Sequence, residues 1–327
     1  MRKKVIGVAL SALLFALSFP AQAQQPTKLP RIGFLSSVSP SSFLAFTEAF
    51  RQGLRDLGYV EGKTILIEYR FAEGVLDRLP MLAGELVSLK VDVIVAAGGL
   101  TLVAAAKKVT DSIPIVMTTS SDPVSSGIVA GLARPGGNVT GLSTLARELG
   151  DKRLELLKEV VPKLSRVAVF GGPNLSVSPQ IEEIEIAGRA LGVRIQRVQM
   201  AGVEDLEKSI AATTKERAGA LMTVIHPMFT GIRGRLADLA VKNRLPTMVP
   251  HPEAVDAGIL MAYGPDTLAL YRRAATYVDK ILKGTRPADL PVEQPRKFEL
   301  AINLTTAKQI GLTIPPNVLA RADRVIR

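Results

Sequence analysis

From Pro30 onward the chain alternates two hydrophobic periods. Arg31–Leu35 is a short apolar run of strand length. Phe43, Phe46, Phe50, Leu54 and Leu57 then recur every three or four positions, which predicts an amphipathic helix with Gly58 as its stop. Thr64–Tyr69 alternates with strand period, and Leu79, Leu82, Leu86 and Leu89 return to helical spacing. Val91–Ala97 is apolar throughout, as in a parallel strand buried on both faces. A helix over 100–109 and a strand over Ile113–Thr118 complete this series.

The series then restarts. Helices are expected over 148–161, 179–191, 203–217 and 231–244, and strands over Arg166–Phe170, Val193–Gln199, Ala220–Ile225 and Pro246–Val249. Parallel strands need crossover helices, so two βα series predict an α/β protein with two doubly wound parallel-sheet lobes. The turn-rich stretch Arg134–Asn138 separates them. Leu268–Leu282 (helix), Phe298–Leu304 (strand) and the tail from Ile314 are each too small to hold a core. A late helix that rejoined the first lobe would link the lobes by several crossings, forming a hinge. The expected division is a first lobe of 30–139 plus 265–290 and a second of 140–264 plus 291–327.

Upstream, Arg2, Lys3 and Lys4 precede the apolar run 5–20, and Ala21-Gln22-Ala23 follows it. This order predicts a signal peptide, 1–23, cleaved after Ala23. The chain has no cysteine, so neither disulfides nor a lipid-anchored N-terminus is available to it. A freely diffusing periplasmic protein is expected. Formal charge is +11, of which Arg2, Lys3 and Lys4 contribute three. The remaining basic residues are scattered pairs with little aromatic interleaving, which predicts a solvated surface and no nucleic-acid partner.

Ligands of open parallel sheets bind beyond the carboxyl ends of strands. Those ends carry Ser36, Ser37, Ser41, Gly98, Gly99, Thr101, Thr119, Ser120 and Asp122 in the first half. Asn174, His226 and Tyr263 stand at them in the second, and His251 also precedes a proline at a strand end. Hydroxyls, glycines and helix-start N–H groups suit a polar or anionic group, yet helix capping alone asks for the same residues. Asp122 has two readings, a partner for an amine or a cap for its own turn before Pro123. Two histidines without acidic or cysteine partners at ligand spacing predict no metal site, and no cofactor is expected. The chain has no G-x-G-x-x-G after the first strand, no P-loop, no H-E-x-x-H and no G-x-S-x-G. A site of hydroxyls without poised acids and bases holds rather than transforms its ligand, so the chain is read as no enzyme.

The phrases "LRDLGYVEGKTILIEYRFAEG", "IPIVMTTSSDPVSSGIVAGLARPGGNVTGLS", "KRLELLKEVVP" and "LYRRAATYVDKILKGTRPADLPVEQPRKFELAINLTTAKQIGLTIPP" resemble the ABC-transporter substrate-binding family, which includes tryptophan-binding relatives. The resemblance spans the whole mature chain. It implies the type I periplasmic-binding-protein fold, with two α/β lobes, three hinge crossings and a cleft closing on a small solute. It also implies a monomer that delivers this solute to an ABC permease in the inner membrane. By position, the cleft would use Ser36–Ser42, Gly98–Thr101, Ser120–Asp122, the Asn174 loop, His226 and Tyr263. The chain departs from its relatives at Gly171–Asn174, where a Trp-Asn-Pro type loop is common, and at His226, where an acidic residue often stands. Two other readings stay open: a periplasmic sensor docking on a receptor, and an exported α/β enzyme.

Overall fold

The structure, a computed structural model, describes residues 29–144, 149–173 and 178–327. The predicted signal peptide and Asn174 therefore lie outside the described residues. The first series folds into a sheet of β1 (Arg31–Ser36), β2 (Leu66–Phe71), β3 (Val93–Ala97), β4 (Ile115–Ser120) and β5 (Val139–Ser143). All pairs are parallel, in the order β2-β1-β3-β4-β5. Helix α1 (Leu44–Asp56) covers one face through Phe46, Phe50 and Leu54, while α2 (Leu79–Ser88) and α3 (Leu100–Val109) cover the other. With both faces covered, β3 is buried at every position, which is why its sequence shows no alternation.

The second sheet uses β6 (Arg166–Gly171), β7 (Arg194–Gln199), β8 (Ala220–Thr223), β9 (Thr247–Val249), β10 (Met261–Pro265), β11 (Phe298–Asn303) and β12 (Arg324–Ile326). Their order is β12-β11-β10-β9-β8-β6-β7. Helices α4 (Gly150–Val160) and α5 (Pro179–Leu191) pack on one face. On the other lie α6 (Leu206–Lys215), the short α7 (Pro227–Gly231) and α8 (Arg233–Lys242). One pair departs from the parallel pattern: β10 and β11 run antiparallel. Between them the chain leaves for the first lobe as α9 (Thr267–Leu282) and returns in the opposite direction. The short helices α10 (Leu304–Gln309) and α11 (Pro316–Leu319) close the second core through Ala307, Ile310 and Val318.

Helix α9 packs along α1 and shares its aromatic core, with Tyr271 edge-on to Phe43 at 5.5 Å between ring centres. Residues 140–143, expected from the sequence in the second lobe, instead complete β5 at the edge of the first sheet. Thr140 Oγ1 donates to Leu290 O at 2.6 Å, and Glu293 N donates to Gly141 O at 3.0 Å. The first lobe thus keeps the chain through Ser143 and again through Glu293, because the open edge of β4 needs a partner for its backbone groups. The backbones of Ser143 and Glu293 bond each other, tying two of the passages between lobes side by side.

Candidate functional site

Strand order reverses in the first sheet between β1 and β3 and in the second between β6 and β8. Such reversals leave a crevice at the carboxyl ends of the strands. Here the two crevices face one another. Loops after β1 and β2 and the start of α3 form one wall, and loops after β6, β7 and β8 form the other. The cleft between them measures about 730 Å³, within the range of small-molecule sites. The lobes meet at its edge, where Arg233 Nη1 lies 3.4 Å from Ser42 O.

Of the residues expected at the site, Ser37, Thr101 and His226 line this cleft together. Ser36 is fully buried beside it at the end of β1. His226 begins α7, and its Nδ1 accepts from Met228 N at 3.3 Å. That bond leaves the proton of the neutral ring on Nε2. Burial holds the ring below its ordinary pKa, which favours the neutral form. Gly172 makes the approach possible, since a Cβ there would stand 2.4 Å from His226 Nε2.

The other residues have local duties. Asp122 Oδ1 accepts from Ser125 N at 3.0 Å, capping its own turn. Gly98 N donates to Thr118 Oγ1 at 3.2 Å, and Gly99 stands before α3 as its cap. Thr119 bonds the hydroxyl of Tyr271. Ser41 is exposed beside Ser39. Tyr263 packs against Phe298, and its carbonyl accepts from Arg153 Nε at 2.9 Å.

Among the described residues, four buried polar atoms near these strand ends have no hydrogen-bond partner: Ser36 Oγ, Ser120 Oγ, Thr223 Oγ1 and Arg153 Nη2. Two belong to each lobe. Such atoms are rare in folded proteins and mark places where a partner belongs. Thr223 and Arg153 were not among the expected site residues. Thr223 ends β8 two residues earlier than the apolar run suggests, so it reads as strand interior. Arg153 shares the buried stripe of α4 with Leu157 and Val160, and a charge on that stripe was the available signal. Glu73, Asp77 and Glu204 add carboxylates to the cleft walls, and among the described residues no lysine or arginine lines them.

A separate cavity of about 20 Å³ is enclosed by Phe46 of the first lobe and by Thr223, Phe229, Arg233, His251 and Glu253 of the second. Among the described residues, no group of three or more His, Cys, Asp or Glu could hold a metal ion. None of the described helices is long and apolar enough to cross a membrane.

Residues 31–326 match the model of the family described as ABC transporter substrate binding protein, and the chain belongs to that family. It is a solute-binding family and not one of enzymes. A "Tyrosine-binding protein" of Clostridioides difficile is 26% identical over 286 residues, covering 87% of this chain and 82% of that protein. A conserved domain protein from Vibrio cholerae is 27% identical with a TM-score of 0.83, covering 91% of this chain and 100% of that one. A domain from Streptococcus pneumoniae solved with L-Trp has 23% identity and a TM-score of 0.82 over 91% and 100% of the two chains, a likeness of fold. The two-lobe fold is thus that of the type I periplasmic binding proteins.

Proposed function

We propose that this chain is the periplasmic solute-binding component of an ABC importer. It closes its cleft on a small polar solute of amino-acid type and delivers it to a permease in the inner membrane. The observation that carries this reading is the cleft of about 730 Å³ at the switch points of both lobes, walled by Ser37, Thr101 and His226. Carboxylates on the cleft walls suit an ammonium group, while Ser37, Thr101 and the His226 imidazole supply neutral polar contacts. A solute touching both walls favours the closed arrangement by the difference between its affinities for the closed and open states.

The test is a thermal-shift screen of amino acids, small carboxylates, nucleosides and sugars, paired with small-angle scattering. A solute at a hundredfold excess over its Kd should add about 2.7 kcal/mol of stability. One chemical class should raise the melting temperature, and its members should also shrink the radius of gyration. Stabilisation without compaction would remove the closing cleft. Mass spectrometry of solute released from natively purified protein identifies the cargo directly.

A further inference from the structure

Arg153 is 1% exposed, one of the most deeply buried side chains of the molecule. Its Nε donates to the carbonyl of Tyr263 in β10, while Nη2 is buried without a partner. No carboxylate lies within ion-pair distance of it among the described residues. An arginine cannot shed its charge the way a histidine can, and a buried charge without a counter-ion is among the costlier arrangements a fold can keep. Desolvation pulls its pKa down to about 10, with Asp151 and Tyr263 opposing the fall.

The place of this charge is as informative as its isolation. Arg153 sits in the first turn of α4, where the chain has just passed from the first lobe to the second. Its head reaches the carboxyl ends of the strands, at Tyr263 of β10 and near His251 after β9. His251 helps enclose the cavity that Phe46 of the first lobe closes, and partnerless Thr223 Oγ1 lines the same cavity. A guanidinium recognises planar anions through paired N–H donors, and one terminal nitrogen here is unused.

We propose that Arg153 is a specificity-determining residue whose guanidinium receives the carboxylate of the bound solute, with Thr223 Oγ1 as a neighbouring hydroxyl contact. The solute then carries an acid group, and its primary amide is rejected because the amide brings no charge to the buried cation. This rests on the solute-binding reading above and deepens it.

The test uses the mature protein and four probes, L-leucine, L-tyrosine, benzoate and butanoate, each beside its primary amide. Melting shifts and calorimetric titration are the readouts. At least one acid should bind while its amide does not. Arg153→Gln should weaken that acid by about ten- to a hundredfold, the usual worth of a hydrogen bond to a charged group, and should abolish the preference over the amide. Arg153→Lys keeps the charge without the fork and should retain the preference at reduced affinity. It also serves as the deciding variant should Arg153→Gln not fold. A merely structural arginine would lower affinity for acid and amide alike. Equal binding of acid and amide by the wild type, or a preference that survives Arg153→Gln, overturns the assignment. Shifts from amides alone overturn it and leave solute binding intact, whereas no shift from any acid or amide overturns both.

Discussion

His251 and Glu253 stand two residues apart behind β9, with Nδ1 of the ring 4.0 Å from a carboxylate oxygen, and burial acts on them in opposite senses. Burial draws His251 down to about 4, and Arg153 pushes the same way; the same Nδ1 meets Thr267 Oγ1 of α9 at 3.3 Å. Burial raises Glu253 to about 7, with Asp266 adding to the rise and Arg233 and Arg324 opposing it. A histidine held below its ordinary 6.5 gives stability that is full above that pH and is lost as the pH falls toward 4. A carboxyl held above its ordinary 4.5 gives stability that is full below that pH and is lost as the pH rises through 7. Between these ordinary values the two slopes oppose each other. The wild-type melting temperature should therefore change little across that window. Glu253→Gln should leave a profile that climbs with pH, and His251→Gln one that descends. Parallel profiles in all three proteins would contradict the assignment. None of this was legible beforehand: His251 showed itself only as a histidine before a proline, and its neighbours Arg153, Thr267 and Asp266 come from distant sequence.

At the scale of elements, the contact between α1 and α9 holds the first lobe to its late segment. The helices approach closely at Gly53, where a Cβ would stand 2.3 Å from the carbonyl of Arg272 and 2.9 Å from Ala275 Cβ. Backbone cannot swing aside as a side-chain tip can. Gly53→Ala should therefore force the helices apart and destabilise the protein by about 1–3 kcal/mol, as overpacked contacts do, despite alanine's better helix propensity. Thermal melting decides between these, since a more stable variant would mean the helices have room. Helices such as α1 and α2 were readable because their apolar positions follow one period over about three turns. The limit of β5 was not readable. Val139–Ser143 has strand character, but only the open edge of β4 determines which sheet it joins.

At the scale of the molecule, two lobes were legible because strands and helices alternate in two series, and the cleft followed from where parallel sheets leave their crevices. Which strand-end residues face that cleft depends on local bonding, as the turn made by Asp122 shows. Neither lobe is a continuous length of chain. The first lacks α9 until residue 282 has been made, and the second lacks β11 and β12 until the last thirty residues are in place. A nascent chain emerging in order must therefore leave Phe43 and Phe46 without the ring of Tyr271 for more than two hundred residues. Synthesis and folding are consequently separated in time, and a polypeptide so delayed remains threadable through a translocation channel. A chain ending at residue 264 should be unfolded by circular dichroism, whereas in the whole protein both lobes should melt in one transition. A folded first lobe in that truncated chain would show that the delay does not exist.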